Sequence, residues 1–312
     1  MTRLENILRR LVVAMLLCVT TTSCFTGVES TPRVTARDVE RALSSKHEPQ
    51  SSLLNLVPDS VPAWREGKQF YVCDDQARML MSRSASYDID TLHLGHRMVT
   101  YAGYSTGDLL DNRPSINLRF ASGRDTLLYR TGKTMQQFSP SFSIPLFIDM
   151  DLVAQAHRQL AGRELYIMSP IWYDRSSEQM LTGRHYVRVR IDSVQPGNKV
   201  LPLRVLFTAL DGGEHAMVWV ATDRTMRDRG IDALFVERDP RADHRDISDA
   251  TWRLIINGKV AEDMTKQECR LALGSPKRIT PIHDQSGLRE YWYYDGGAYL
   301  FFVDGLLKRY RL

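Results

Sequence analysis

Long apolar runs are missing from this 312-residue chain. The clearest, Leu11 to Val19, spans nine residues, too few to cross a bilayer as a helix, which takes about 20. Cysteine is scarce. Cys18, Cys24, Cys73 and Cys269 are the only four, and no Cys-x-x-Cys occurs, so neither thiol exchange nor a structural zinc site is suggested. The Gly-x-Ser-x-Gly spacing occurs once, at Gly103-Tyr-Ser-Thr-Gly107; to serve as a serine-hydrolase elbow it would need a sharp strand-to-helix turn there. Arg130-Thr-Gly-Lys-Thr134 ends like a phosphate-binding loop, but Leu127 stands where the first glycine of that loop is required. A clustered basic face is also lacking. The formal charge is +4, and Arg3, Arg9, Arg10 and Glu5 account for +2 of it, which argues against a nucleic-acid partner.

The chemistry that remains is thin. His93-Leu-Gly-His96 would place its imidazoles on opposite faces of a strand, and the glycine disfavours the helix that would align them. Asp149-x-Asp151 offers two carboxylates, but helix capping accounts for both. His283-Asp284 sits between Pro281 and Gly287 and reads as a loop. Cys73 or Cys269 as a nucleophile would need a histidine base beside it. No catalytic residue, metal ligand or cofactor is therefore assigned, and a periplasmic enzyme using Cys or His chemistry is only the third reading.

What is present points to the cell envelope. Arg9 and Arg10 precede the nine-residue apolar run, and Thr20-Thr-Thr-Ser-Cys24 follows it. A basic start, a short apolar core and small residues before a cut describe a secretory signal, residues 1–23. Ser23-Cys24 resembles a bacterial lipobox, with Thr21 where Leu is usual. Cys24 would then carry lipid and hold the protein to a membrane. A plain secreted protein and an uncleaved anchor are the alternatives. Cys73 and Cys269 remain, either paired in an oxidising periplasm or standing apart as buried thiols.

Residues 24–62 read as a lipidated tether with a short helix near Ala36 to Leu43, polar and proline-punctuated after Ser44. Two β-rich stretches follow, residues 63–148 and 149–221, and they echo each other. Gly67 to Val72 parallels Gly162 to Ile167, Gly95 to Tyr101 parallels Gly183 to Val189, and Leu118 to Phe120 parallels Val205 to Phe207. Short strands with glycine turns at this spacing suggest small barrels or sandwiches, and tandem SH3-like barrels are expected. A helix capped by Asp149 or Asp151 and ended by Gly162 should join the copies, with Leu152, Val153, Ala156 and Leu160 on its apolar face. Residues 222–246 turn charged and read as a solvated linker, or as a docking strip.

Residues 247–312 carry the strongest local signals. Thr265-Lys-Gln-Glu268 is a capping box with Met264 and Cys269 at the staple positions. Gly274 should end that helix in the left-handed conformation, with Pro276 preventing resumption. Ser248 caps an earlier helix, with Ile247 and Trp252 as its staple and Gly258 as its stop. Strands then follow at 290–294, 298–303 and 306–312, separated by Asp295-Gly-Gly297 and Asp304-Gly305. The expected class is α+β, with two β-rich repeats ahead of an α-α-β-β-β unit.

That unit contains Ile255-Ile-Asn-Gly258, Met264-Thr265, Leu273-Gly-Ser-Pro276, Trp292-Tyr-Tyr294 and Phe302-Val-Asp-Gly305. With these motifs it resembles the BamE/SmpA-like outer-membrane lipoprotein domain. The chain departs from the family pattern at Asp263, where Gly is usual, and at Cys269, where Val is common. The resemblance implies an outer-membrane location facing the periplasm and a link to outer-membrane protein assembly or envelope integrity. The aromatic cluster Tyr291, Trp292, Tyr293, Tyr294, Tyr299 and Phe301 is the candidate partner-binding face. Alternation puts half of it in the core, and the other half either meets a partner or packs on the β-rich region. An envelope adaptor is the leading reading, and glycan or peptide binding by the repeats is the alternative.

Overall fold

A computed structural model describes residues 53–83, 92–108, 114–223, 225–284 and 287–312. The signal segment, Cys18, Cys24 and the short tether helix lie outside the described residues. The class is α+β, built on antiparallel sheets.

The first sheet contains β1 (Gln69–Val72), β2 (Met81–Arg83), β3 (Arg97–Asp108), β4 (Pro114–Ser122), β5 (Asp125–Arg130) and β6 (Phe147–Asp149). Helix α1 (Met150–Leu160) leads to the second sheet: β7 (Glu164–Ile167), β8 (Ile171–Tyr173), β9 (Met180–Thr182), β10 (Val187–Pro196), β11 (Leu203–Ala209), β12 (His215–Val220) and β13 (Phe235–Val236), the last reached through the one-turn helix α2 (Ile231–Leu234). The spatial orders are β2-β5-β4-β3-β1-β6 and, reversed, β9-β8-β12-β11-β10-β7-β13. Strand for strand the two are the same arrangement, with β9 added.

The duplication extends to single hydrogen bonds. Gly67 N donates to Tyr101 O and Tyr101 N to Lys68 O. In the second sheet Gly162 N donates to Ile191 O and Ile191 N to Arg163 O. Cys73 N reaches Leu146 O, as Met168 N reaches Leu234 O. Strands β1 and β7 even share one alternation of exposed and buried residues. Phe120 pairs with Tyr101 and Phe207 with Ile191, which is the correspondence expected from sequence. The middle pairing needs correction. Val99 is the counterpart of Val189, and His96 of Tyr186, since each of the latter two donates its amide to the end of the neighbouring strand. The glycines of Gly95 and Gly183 misplace that strand by two residues, a slip that keeps every side chain on its face.

The charged stretch 222–246 is corrected more strongly. Ile231, Leu234 and Phe235 are buried in the second core, and β13 forms the edge of the sheet beside β7. The five apolar residues of Ile231 to Val236, interrupted by Asp232, are masked by the charge around them. The end of the tether is also docked. Leu53 is buried, and α1 holds the extended segment beyond it through two glutamines one turn apart. Gln159 accepts from Asn55 N and donates to Asn55 O at 2.8 and 2.7 Å, and Gln155 does the same at Val57 at 3.0 and 3.1 Å. Helix α1 itself is capped by Asp149, whose side chain accepts from Asp151 N, and it buries Val153, Ala156 and Leu160.

The C-terminal unit has helices α3 (Asp249–Ile256) and α4 (Lys266–Leu273) followed by four strands, β14 (Arg278–Asp284), β15 (Gly287–Tyr293), β16 (Tyr299–Val303) and β17 (Leu306–Arg311), in a simple meander. The expected three-stranded sheet gains β14. Pro281 and the polar ends of that segment hide its strand character, yet it pairs with β15 along its whole length. Ser248 and Thr265 cap the two helices, the latter through the full capping box, and Ile247, Trp252, Met264 and Cys269 are all buried.

Candidate functional site

Strand parity sorts the aromatic cluster. On the inner face Trp292, Leu300, Phe302 and Leu307 lie under α3 and α4 with no exposed surface. Trp292 is thus core and is removed from the candidate face. Its indole Nε1 donates to Glu290 at 2.9 Å, and the Arg270 guanidinium lies 4.7 Å above its ring. Tyr294 follows the strand, packs partly on the same core and donates its hydroxyl to Gly274 O. Burial pushes its phenol up to about 12. It too serves the fold.

The outer face keeps Tyr291, Tyr293, Tyr299 and Phe301. Reading across β14, β15, β16 and β17, one row is Arg278, Tyr293, Tyr299, Arg311, and the next is Thr280, Tyr291, Phe301, Arg309. A third row is Ile282, Arg289, Val303, Leu306. Tyr291 packs against Phe301 with ring centres 4.6 Å apart and stacks on Tyr293 at 6.1 Å. The Arg278 guanidinium covers the Tyr293 ring at 4.4 Å. The four aromatic side chains are half-buried, while Arg278, Arg309 and Arg311 are exposed. Among the described residues none of these four rings packs on any of the three cores.

A second feature lies where the two sheets meet. A cleft of about 340 Å³ runs between the Phe142 to Asp149 segment, α1 and the turn around Lys199, with Trp64 on one wall. Beside it is a cluster that composition did not reveal. The Lys68 ammonium, only 4% exposed as a side chain, pairs with Asp149 at 2.9 Å, with Asp151 directly and with Asp59 at 3.7 Å. Burial lowers the lysine's affinity for its proton, but the hydrogen bonds it donates to Asp151 and Asp149 outweigh this and the pKa ends raised. Burial raises the Asp149 carboxyl above the usual range, against the pull of Lys68. The only sequence signal for this cluster was Asp149-x-Asp151, read as capping. Asp149 does cap α1, and both carboxylates also hold Lys68.

The other candidates are dispersed. Cys73 and Cys269 are free thiols in different cores. Burial raises the pKa of Cys73 and pushes Cys269 up to about 12, so both thiols stay protonated at neutral pH. The Cys73 Sγ–H donates to Leu146 O at 3.3 Å. His93 is exposed and faces Asp75 at 3.8 Å, whereas His96 meets the Tyr71 hydroxyl at 2.9 Å. The side chains of His283 and Asp284 lie outside the described residues. Among the described residues no three His, Cys, Asp or Glu side chains gather as a metal site.

His185 was not foreseen. It is 5% exposed, its ring meets Ile255 O, and its amide donates to Ile256 O. Tyr186 stacks on it at 4.3 Å and on Trp252 at 5.7 Å, joining the second sheet to α3. Comparison with protein-family models, curated proteins and solved structures found no match.

Proposed function

We propose that this protein is a non-enzymatic adaptor lipoprotein of a bacterial cell envelope, anchored through Cys24 to the outer membrane on its periplasmic side. Two tandem SH3-like modules stand between the anchor and a BamE/SmpA-like domain in the order of the chain, and that domain docks an envelope protein. The SH3-like reading is supported by strand order: in each sheet the last strand returns beside the first after a 3-10 turn, Met135–Gln137 or Arg227–Arg229. A link to outer-membrane protein assembly or envelope integrity follows the resemblance of the C-terminal unit.

The observation that carries the proposal is the outer face of the four-stranded sheet. Tyr291, Tyr293, Tyr299 and Phe301 form a continuous aromatic patch without a covering element among the described residues. Aromatic residues with arginine dominate the energetics of protein interfaces. A photo-crosslinker at Tyr299 should trap a partner in intact cells, while one at the inward Leu300 should trap none. Absence of an adduct from any outward position would sink the docking reading. Anchoring is tested separately. Cys24→Ser should release the protein from membranes, and a variant that still partitions wholly with them would end the lipid reading.

The alternative, glycan or peptide binding by the tandem modules, is favoured by the cleft beside Trp64. Its size lies at the low end for a small-molecule site. Co-sedimentation with purified peptidoglycan distinguishes the two, because an adaptor of this design stays in the supernatant.

A further inference from the structure

The docking face has a charge pattern as well as an aromatic centre. Its outward positions in the described side chains are Arg278, Thr280 and Ile282 on β14, Arg289, Tyr291 and Tyr293 on β15, Tyr299, Phe301 and Val303 on β16, and Leu306, Arg309 and Arg311 on β17. None is acidic. Arg278 and Arg311 close the two ends of one row, and Arg309 closes the next. Three strand spacings separate β14 from β17, about 14 Å. The centre is apolar and half-sunk, and the rims are cationic and exposed.

Resting on the docking proposal above, we infer that the partner presents an acidic protein segment: an apolar or aromatic side chain over the Tyr299 and Phe301 rings, with carboxylates on both sides reaching Arg278 on one rim and Arg309 or Arg311 on the other. Charge complementarity selects it. The planar arginine fork pairs a carboxylate through two parallel hydrogen bonds, and the sunken ring cluster needs an apolar group to fill it. A smooth anionic bilayer would lay charge over the rings as well as the rims. Stacked bases would need open ring faces, but Tyr291 packs on Tyr293 and Phe301, and Arg278 covers Tyr293.

The test uses the full chain in detergent and four probes. These are a labelled peptide with Leu-Trp-Leu between two pairs of glutamates, its glutamine counterpart, a single-stranded oligothymidine, and phosphatidylcholine vesicles doped with phosphatidylglycerol. The acidic peptide should bind about tenfold more tightly than the glutamine peptide, and raising salt should narrow the gap. The double variant R278Q/R311Q should weaken the acidic peptide by about tenfold, and the control R188Q/R190Q on the second sheet should not. An unchanged melting temperature in both variants separates lost binding from lost folding. Equal binding of the two peptides, or no effect of R278Q/R311Q, overturns the inference. So does tighter binding of the oligothymidine or the vesicles through the same arginines. If the acidic peptide fails while the Tyr299 crosslink forms in cells, the acidic occupant falls and the docking reading stands. If both fail, both fall.

Discussion

Lys68 illustrates how one side chain organises a boundary. Its ammonium has almost no water, and Asp149 beside it is only 15% exposed, whereas Asp59 and Asp151 are more than half exposed. The exposed partners add little on their own. Removing the lysine, however, strands the Asp149 carboxylate in a buried site. Lys68→Ala should therefore cost about 3 kcal/mol in urea unfolding. Adding Asp149→Asn should recover part of the loss, because the stranded charge is gone. A single-variant loss under about 1 kcal/mol would mean the cluster is effectively solvated. Gly274 is a second residue with a calculable role. It has φ 79° and ψ −169°, a region essentially reserved for glycine, rather than the left-handed conformation expected from sequence. A Cβ there meets nothing within 4 Å, so the cost of a side chain is backbone strain alone. Gly274→Val should lower stability by about 1–3 kcal/mol, read as a reduced melting temperature. No change would contradict that assignment.

At the level of single elements, the tail shows what sequence reveals best. Thr265, Glu268, Met264 and Cys269 act within one helical turn, so their meaning survives without knowledge of the rest of the chain. The turn at Asp304-Gly305 is equally local: both residues take positive φ, 49° and 86°, as a two-residue hairpin requires. Parity then separates Trp292 from Tyr291 without further information, although which face the helices cover had to come from the fold. The missed strand β14 fails for the same reason in reverse. Its place is fixed by pairing with β15, a contact that no property of Arg278 to Asp284 announces. The two faces should answer mutation very differently. Trp292→Ala empties a fully buried site and should cost about 3–5 kcal/mol. Tyr299→Ala on the outer face should cost roughly 1 kcal/mol or less while reducing partner capture. Similar melting temperatures for the two variants would show that the faces are assigned the wrong way round.

Across the described residues, the likeness of the two sheets was legible because Gly67 and Gly162 introduce strands with matching burial, and because Phe120 and Phe207 fill matching core positions. Phe235 was not legible as a closing strand, since the short apolar run that holds it lies between charged flanks. The Lys68 cluster and the His185 junction both join residues distant in sequence, so neither leaves a local pattern. The junction has a consequence for pH. The His185 ring is buried against Ile255 O at the contact between the second sheet and α3, with Tyr186, Trp252 and His244 in the same aromatic stack. Burial lowers its pKa below the ordinary 6.5, and the carbonyl contact opposes this only in part. A depressed value means that the unfolded chain takes up the proton first. The stability this histidine contributes is therefore fully present above pH 6.5 and is lost as pH falls through the folded-state pKa. Hydrogen exchange at the His185 and Tyr186 amides, which bond to Ile256 O and Ile167 O, should accelerate between pH 7.5 and pH 5 beyond the intrinsic chemical trend. In His185→Gln the same amides should exchange faster at pH 7.5 and show no added acceleration on acidification. An equal acid response in the variant would place the titrating group elsewhere.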